Sequence, residues 1–348
     1  MHNKQPSSTR VIPVDQAVGE VLAHDITEIR PGQFKGPAFR KGHIIREEDL
    51  DHLRRLGKEH LFVLHIGPGD VHEDEAALRL AEALAGPGIV FGHEPSEGKI
   101  ALKSEHRGLL KVDGEALTTF NLVPHVTCSS RHNNVMVDAG DTIAATRAIP
   151  LIIDEIVLKK AVKIAEDAGG IFSIKKVSQP KTALIITGNE VYSGRIEDKF
   201  APLIRKKLTF FGCQVEETLF LPDDKQEISQ TIRRFVEKGL GLILVAGGMS
   251  VDPDDVSRMA IAEAGAKDIV YGTPVLPGAM FLYGRLGDIP ILGLPACILY
   301  HNATIFDLIL PRVLAGERIT RKDLAAMAEG GLCLNCEQCR YPACPFGK

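Results

Sequence analysis

The sequence predicts an α/β protein. Its main part is a mostly parallel sheet with helices on both faces, a three-layer domain. A β-rich middle domain and a small N-terminal α+β segment precede it. Three observations predict this. From residue 181, strand-length apolar runs alternate with helical patterns: "TALIIT", "DKFAPLIRKKLTFFG", "CQVEETLFL", "KQEISQTIRRFVEKG", "GLILVAGG". Between residues 89 and 149 short apolar runs are separated by turns instead, as in "KIALKS", "GLLKVD" and "NNVMVDAGD". The chain has 348 residues, 45% hydrophobic and 25% charged, which is globular usage and too long for one ordinary core.

The elements follow in order. Residues 1–66 are the N-terminal segment. "AVGEVLAHDITEI" alternates like strands, and "IIREEDLDHLRRLGKEHLFVL" reads as a helix stopped by Gly57, then a strand. Residues 67–178 open with the turn "GPGD". An amphipathic helix follows over 71–85, then the β-rich stretch, then a helical linker over 154–168 capped by Gly169 and Gly170. Residues 179–316 are the α/β domain. It closes with two short strands, "FLYGRL" and "IPILGL", and a helix over "LYHNATIFDLILPRVLAG". Residues 317–348 are a tail with a short helix and four cysteines.

Bulk properties narrow the function. A net charge of −4 lacks the basic footprint of a nucleic-acid binder. No apolar stretch reaches the roughly 18 residues a membrane span needs. The polar start "MHNKQPSSTR" has no signal-peptide core, so a cytoplasmic protein is expected.

In open parallel sheets ligands sit at the carboxyl ends of strands. Three polar turns fall there: "TGNEVYSG", "GGMSVDPDDV" and "GLPACILYHN". In the middle one, Gly247 and Gly248 let backbone amides approach an anion. Pro253 suits the first turn of the following helix, whose amino end favours anions. Asp255, one turn in, is placed to hold hydrated Mg²⁺. The plainer reading is a helix cap and a solvated acidic turn.

The ordered set "TGNE", "GGxSxxxxD", "PG" at 277–278 and "GLP" resembles the molybdopterin-binding domain of the MoeA-type molybdenum-insertion enzymes, the molybdopterin molybdotransferases. The resemblance spans residues 181–316. "AVGEVLAHDI" is also similar to that family's N-terminal segment. It implies that Thr187, Gly188 and Glu190 line a pterin site, and that Gly247, Gly248 and Ser250 bind the dithiolene or phosphate end. Gly278, Gly293, Leu294 and Pro295 match the last two loops. Asp198, Asp224 and Asp255 match acidic active-site positions, with Asp224 and Asp255 holding Mg²⁺. It also implies a homodimer. The departures are specific. Ala279 stands where the family has a lysine that attracts molybdate, Phe200 where it has an asparagine, and Asp252 where it has a glycine. "GLPACI" replaces Gly-Leu-Pro-Gly-Asn-Pro. Loss of the cation separates pterin binding from oxyanion insertion.

The tail places Cys333, Cys336, Cys339 and Cys344 at C-x2-C-x2-C-x4-C, followed by Pro345. This resembles the bacterial ferredoxin run, which has x3 before its last cysteine. Four thiolates also suit tetrahedral Zn²⁺, and a redox-active or disordered thiol tail is the third reading. After Gly330 and Gly331 the tail is expected to be a mobile appendage, removable with little change in thermal midpoint. Cys297 is read first as a packing residue; the alternative is that it faces the pterin site. "SRHNN" (130–134), His93, Lys99 and "RKK" (205–207) are read as solvated turns or a wet helix face. Three functions stand beside one another. One is a molybdotransferase inserting molybdate or tungstate into adenylylated molybdopterin. One is a non-enzymatic molybdopterin sensor or carrier serving a molybdoenzyme or redox partner. The last is an iron–sulfur electron-transfer protein.

Overall fold

The computed structural model describes residues 9–30, 34–64, 66–96, 98–250, 252 and 255–348. They form two compact units. The first is drawn mainly from the chain up to Ile174, the second mainly from Lys175 onward.

In the first unit, strands Thr9–Pro13, Val21–Leu22 and His60–Leu64 make a small antiparallel sheet. Its core holds Val14, Leu22, Ile26, Leu53 and Val63. Beyond it, Ile89–Phe91, Lys99–Ser104, Thr142–Ala148 and Val126–Ser130 form a four-stranded antiparallel sheet. Helix Glu73–Leu84 buries its own face of Ala76, Ala77, Leu80, Ala81 and Leu84. The stretch expected to be β-rich also contains a helix, Gly114–Asn121. The Asp113 carboxylate caps it by accepting from the Ala116 amide at 2.9 Å.

Glu73 is 6% exposed, and the Arg147 guanidinium stands 3.4 Å from its carboxylate. Burial raises its pKa above the ordinary 4.5, and the nearby Asp74 charge adds to the rise. A folded pKa above the unfolded one means the folded state holds the proton more tightly. This group's stabilisation is therefore complete below pH 4.5 and declines as pH rises through the folded value. Glu73→Gln should flatten that decline. Denaturant unfolding at pH 4 to 7 measures it, and equal slopes for the two proteins would refute the assignment.

The second unit is a six-stranded sheet: β1 (Thr182–Thr187), β2 (Val215–Leu221), β3 (Leu242–Ala246), β4 (Lys267–Tyr271), β5 (Leu282–Leu286) and β6 (Ile289–Leu294), in the order β2-β1-β3-β6-β5-β4. The first four strands in that order run parallel; β5 and β4 add antiparallel. The helices are α1 (Asn189–Tyr192), α2 (Phe200–Phe210), α3 (Lys225–Glu237), α4 (Ser257–Glu263), α5 (Ile305–Leu314) and α6 (Arg321–Ala326). β1 and β3 are buried on both faces, which explains their continuous apolar runs. Ile204, Leu208 and Ile309 pack on one face of the sheet, while Ile228, Ile232 and Ile261 pack on the other.

Four expectations need correction. The last long helix begins at Ile305, where Thr304 and Asp307 form a capping box, so residues 300–304 are not helical. Lys207 is not on a wet face: its ammonium pairs with Asp307 at 2.5 Å and bonds the Asn302 carbonyl at 2.7 Å. Asp255 precedes α4 instead of lying one turn inside it, and its amide donates to the Asp252 carbonyl at 3.0 Å. The Pro253 expectation falls outside the described residues.

The fourth correction concerns the tail, which packs onto the second unit. Phe346 is 3% exposed and belongs to the same core as Ile305 and Leu308. The Tyr341 hydroxyl donates to the Asp307 carbonyl at 3.2 Å. Leu332 forms a parallel bridge with Leu276.

Candidate functional site

Three stretches of the second unit wall a cleft of about 450 Å³. The turn after β3 contributes Gly247, Gly248, Met249, Ser250 and Asp255. The loop before β5 contributes Leu276, Pro277, Gly278, Ala279 and Met280. The turn after β6 contributes Pro295, Ala296 and Cys297. Parallel pairing brings the first and last together, because Ala246 and Leu294 are register partners and the chain leaves both strands at the same edge.

The β3 turn is held from behind. Gly247 has φ +96°, and a Cβ there would stand 2.5 Å from the Thr187 carbonyl oxygen. The Thr187 and Ser257 hydroxyls are hydrogen-bonded at 3.0 Å. The Tyr271 hydroxyl donates to the Met249 carbonyl at 2.7 Å. Met249 lies over Gly293, where a Cβ would meet its sulfur at 2.5 Å. The opposite loop is equally tight: Gly278 abuts Ile305, and the Ile305 amide donates to the Pro277 carbonyl at 3.2 Å.

The structure therefore sorts the residues singled out in the sequence. Gly247, Gly248, Ser250, Asp255, Gly278 and Pro295 line the cleft. Thr187, Gly293 and Leu294 are buried behind its wall. Gly188 is the residue just before α1, and Glu190 is exposed. Asp198 and Asp224 are absent from the lining. Each does a helix cap's work: Asp198 accepts from the Phe200 amide at 2.8 Å, Asp224 from the Glu227 amide at 2.8 Å. Met249, Leu276, Pro277, Ala279, Met280, Ala296 and Cys297 also line the cleft. They lie inside the matched loops, but which of them face inward has no signature in a single sequence. Cys297 is half-buried on the cleft wall, and burial pushes its thiol up, which keeps it neutral at neutral pH.

Among the described lining residues Asp255 is the one charged side chain. A ligand's polar groups would meet the Ser250 hydroxyl and the Asp255 carboxylate; the Gly247 amide is already bonded to the Leu294 carbonyl at 3.4 Å. Its flat or apolar parts would meet Leu276, Pro277, Met280 and Pro295. Such a wall suits a polar heterocycle better than a bare anion, because the described lining residues supply no cation.

A second cavity, about 290 Å³, lies between residues 300–303 and the tail. All four tail cysteines are on its wall. Cys333 and Cys344 are half-buried; Cys336 and Cys339 are exposed. Among the described residues no three His, Cys, Asp or Glu side chains are drawn together as a metal-holding group. The tail therefore does not present the ready-made metal set that its spacing suggested.

Residues 183–315 match a family described as "Probable molybdopterin binding domain", and residues 11–65 match a domain of unknown function. A "Molybdenum cofactor biosynthesis bifunctional protein" of Chlorobaculum tepidum is 26% identical over 110 residues, 32% of this chain and 35% of its own length. A protein of Archaeoglobus fulgidus is 35% identical over 92 residues, 26% of this chain and 40% of its own length. The chain thus spans well under half of these relatives. Among solved structures, the molybdopterin biosynthesis enzyme MoaB from Thermus thermophilus is 21% identical. That match covers 40% of this chain and 98% of MoaB, with a TM-score of 0.34.

Proposed function

We propose that the cleft binds molybdopterin and that the chain serves molybdenum cofactor synthesis in the cytoplasm as a homodimeric binding or delivery protein. One observation carries this reading. Gly247, Gly248, Ser250 and Pro295, from turns far apart in sequence, wall one cleft within the residues that match a molybdopterin-binding domain. The wall offers apolar surface with the Ser250 hydroxyl among it, which suits the flat, polar-edged ring of a pterin. Its described residues include no cation that would gather molybdate, which argues against insertion.

The position of Asp255 keeps insertion as a second reading. Mg²⁺ binds through one or two carboxylates plus substrate phosphates and keeps its remaining waters. Asp255 on the cleft wall would hold it, and the ion would supply electrophilic help to phosphoanhydride cleavage. Asp224 and Asp198, engaged as helix caps, have no such placement. An iron–sulfur cluster or zinc on the tail is no part of either reading.

Anaerobic titration of the full chain with molybdopterin tests the placement. Ala296 is an exposed cleft-lining residue, so Ala296→Trp should fill the cleft and leave the fold intact. The expected loss of affinity is about tenfold or more, equivalent to about 1.4 kcal/mol. Equal affinity in a folded variant would remove the ligand from this cleft, and no binding by the wild type would end the proposal. AMP release from adenylylated molybdopterin with Mg²⁺ separates the two readings. Only the second predicts release, abolished in Asp255→Asn with binding retained.

A further inference from the structure

We propose that the tail cavity is the seat of a [4Fe–4S] cluster held by Cys333, Cys336, Cys339 and Cys344. All four sulfur-bearing residues line one space of about 290 Å³. The strap that carries them is anchored at both ends. The Cys333 amide donates to the Leu276 carbonyl at 2.8 Å, and the Leu276 amide donates to the Gly331 carbonyl at 2.8 Å. At the other end, Phe346 is buried in the core and Tyr341 bonds to Asp307. Cys333 and Cys344 sit half-buried near these anchors. Cys336 and Cys339 lie between them and are exposed; the four are not drawn together among the described residues, so loading turns these two toward the cavity.

The geometry favours a cluster over a single ion. Zinc draws four sulfurs to about 2.3 Å from one point, and among the described residues no three of these side chains are drawn together in that way. A cubane takes one thiolate on each iron, so its four cysteines surround a volume. The cavity supplies that volume, with apolar walls from Ala303, Leu332, Leu334 and Phe346 and a guanidinium, Arg340, to face the cluster's negative charge. The extra residue before the last cysteine, compared with ferredoxins, is taken up in a turn, where the Ala343 amide donates to the Arg340 carbonyl at 2.7 Å.

Loading from a preformed cluster is a balanced ligand exchange. Four cysteine thiols give their protons to the four small thiolates on a synthetic [4Fe–4S] complex. These leave as free thiols, four cysteine S–Fe bonds form, and no electron is transferred. The test is to mix the reduced full-length chain with that complex without oxygen and pass it through gel filtration. One cluster per chain is expected, with iron and sulfide in equal amounts and visible absorbance that dithionite bleaches. Cys336→Ser and Cys339→Ser change exposed residues, so their cluster-free thermal midpoints should equal wild type while the cluster is lost. A wild-type chain that emerges colourless would overturn the proposal. So would a chain that instead binds one zinc ion with all four thiols protected, or retention of the cluster by both serine variants. No pterin enters the experiment, so its outcome is independent of the cleft's ligand.

Discussion

Replacing Phe346 with alanine should destabilise the second unit by about 3–5 kcal/mol, the usual cost of deleting a buried aromatic ring. The ring is 3% exposed and shares a core with Ile305, Phe306 and Leu308, although it stands near the end of a segment rich in Cys, Pro and Gly. The next residue is packed as closely: Gly347 lies directly against Leu308, with no space for a Cβ. Ending the chain after residue 330 should cost more still, since it also removes the Leu276 pairing and the Tyr341 bond. Urea unfolding followed in the far ultraviolet reads the loss. A change below about 1 kcal/mol, typical of surface substitutions, would show that the ring is not part of the core.

Gly247→Ala should be nearly as costly and should also spoil the cleft. A non-glycine residue held at positive φ costs of order 1–3 kcal/mol. Here the added methyl also meets a backbone oxygen, that of Thr187, at 2.5 Å. A carbonyl at the end of β1 cannot swing aside as a side-chain tip can. The turn must instead lift, carrying Gly248 and Ser250 out of place. We expect about 3 kcal/mol less stability and at least about a tenfold loss of ligand affinity in whatever remains folded. An alanine variant with wild-type midpoint and affinity would contradict both the turn geometry and its role in the cleft.

Much of the second unit was legible because its signals are local. Continuous apolar runs announced β1 and β3, and Gly-Gly after β3 announced a turn. The helix Gly114–Asn121 was missed because a glycine opens it and Thr118 and Thr119 weaken its propensity; Asp113, its cap, was the available clue. The acids show a different limit. Asp198, Asp224 and Asp255 look alike in sequence, yet two cap helices and one reaches the cleft. Only tertiary packing decides between those fates. The tail was misjudged for a related reason. Its composition suggested a loose appendage, and nothing local reveals that Phe346 finds a pocket beside Leu308.

Leu276 bears on how transferable the cleft is. Its side chain is on the cleft wall, while its amide and carbonyl are both taken by the tail, at Gly331 and Cys333. The residues shared with the molybdopterin-binding family stop at 315. A domain excised or grafted at that boundary would carry every motif and still leave one rim of the cleft without the tail segment bonded to it. The cleft is therefore not a cassette: its smallest self-sufficient piece reaches past residue 315, at least through Cys333.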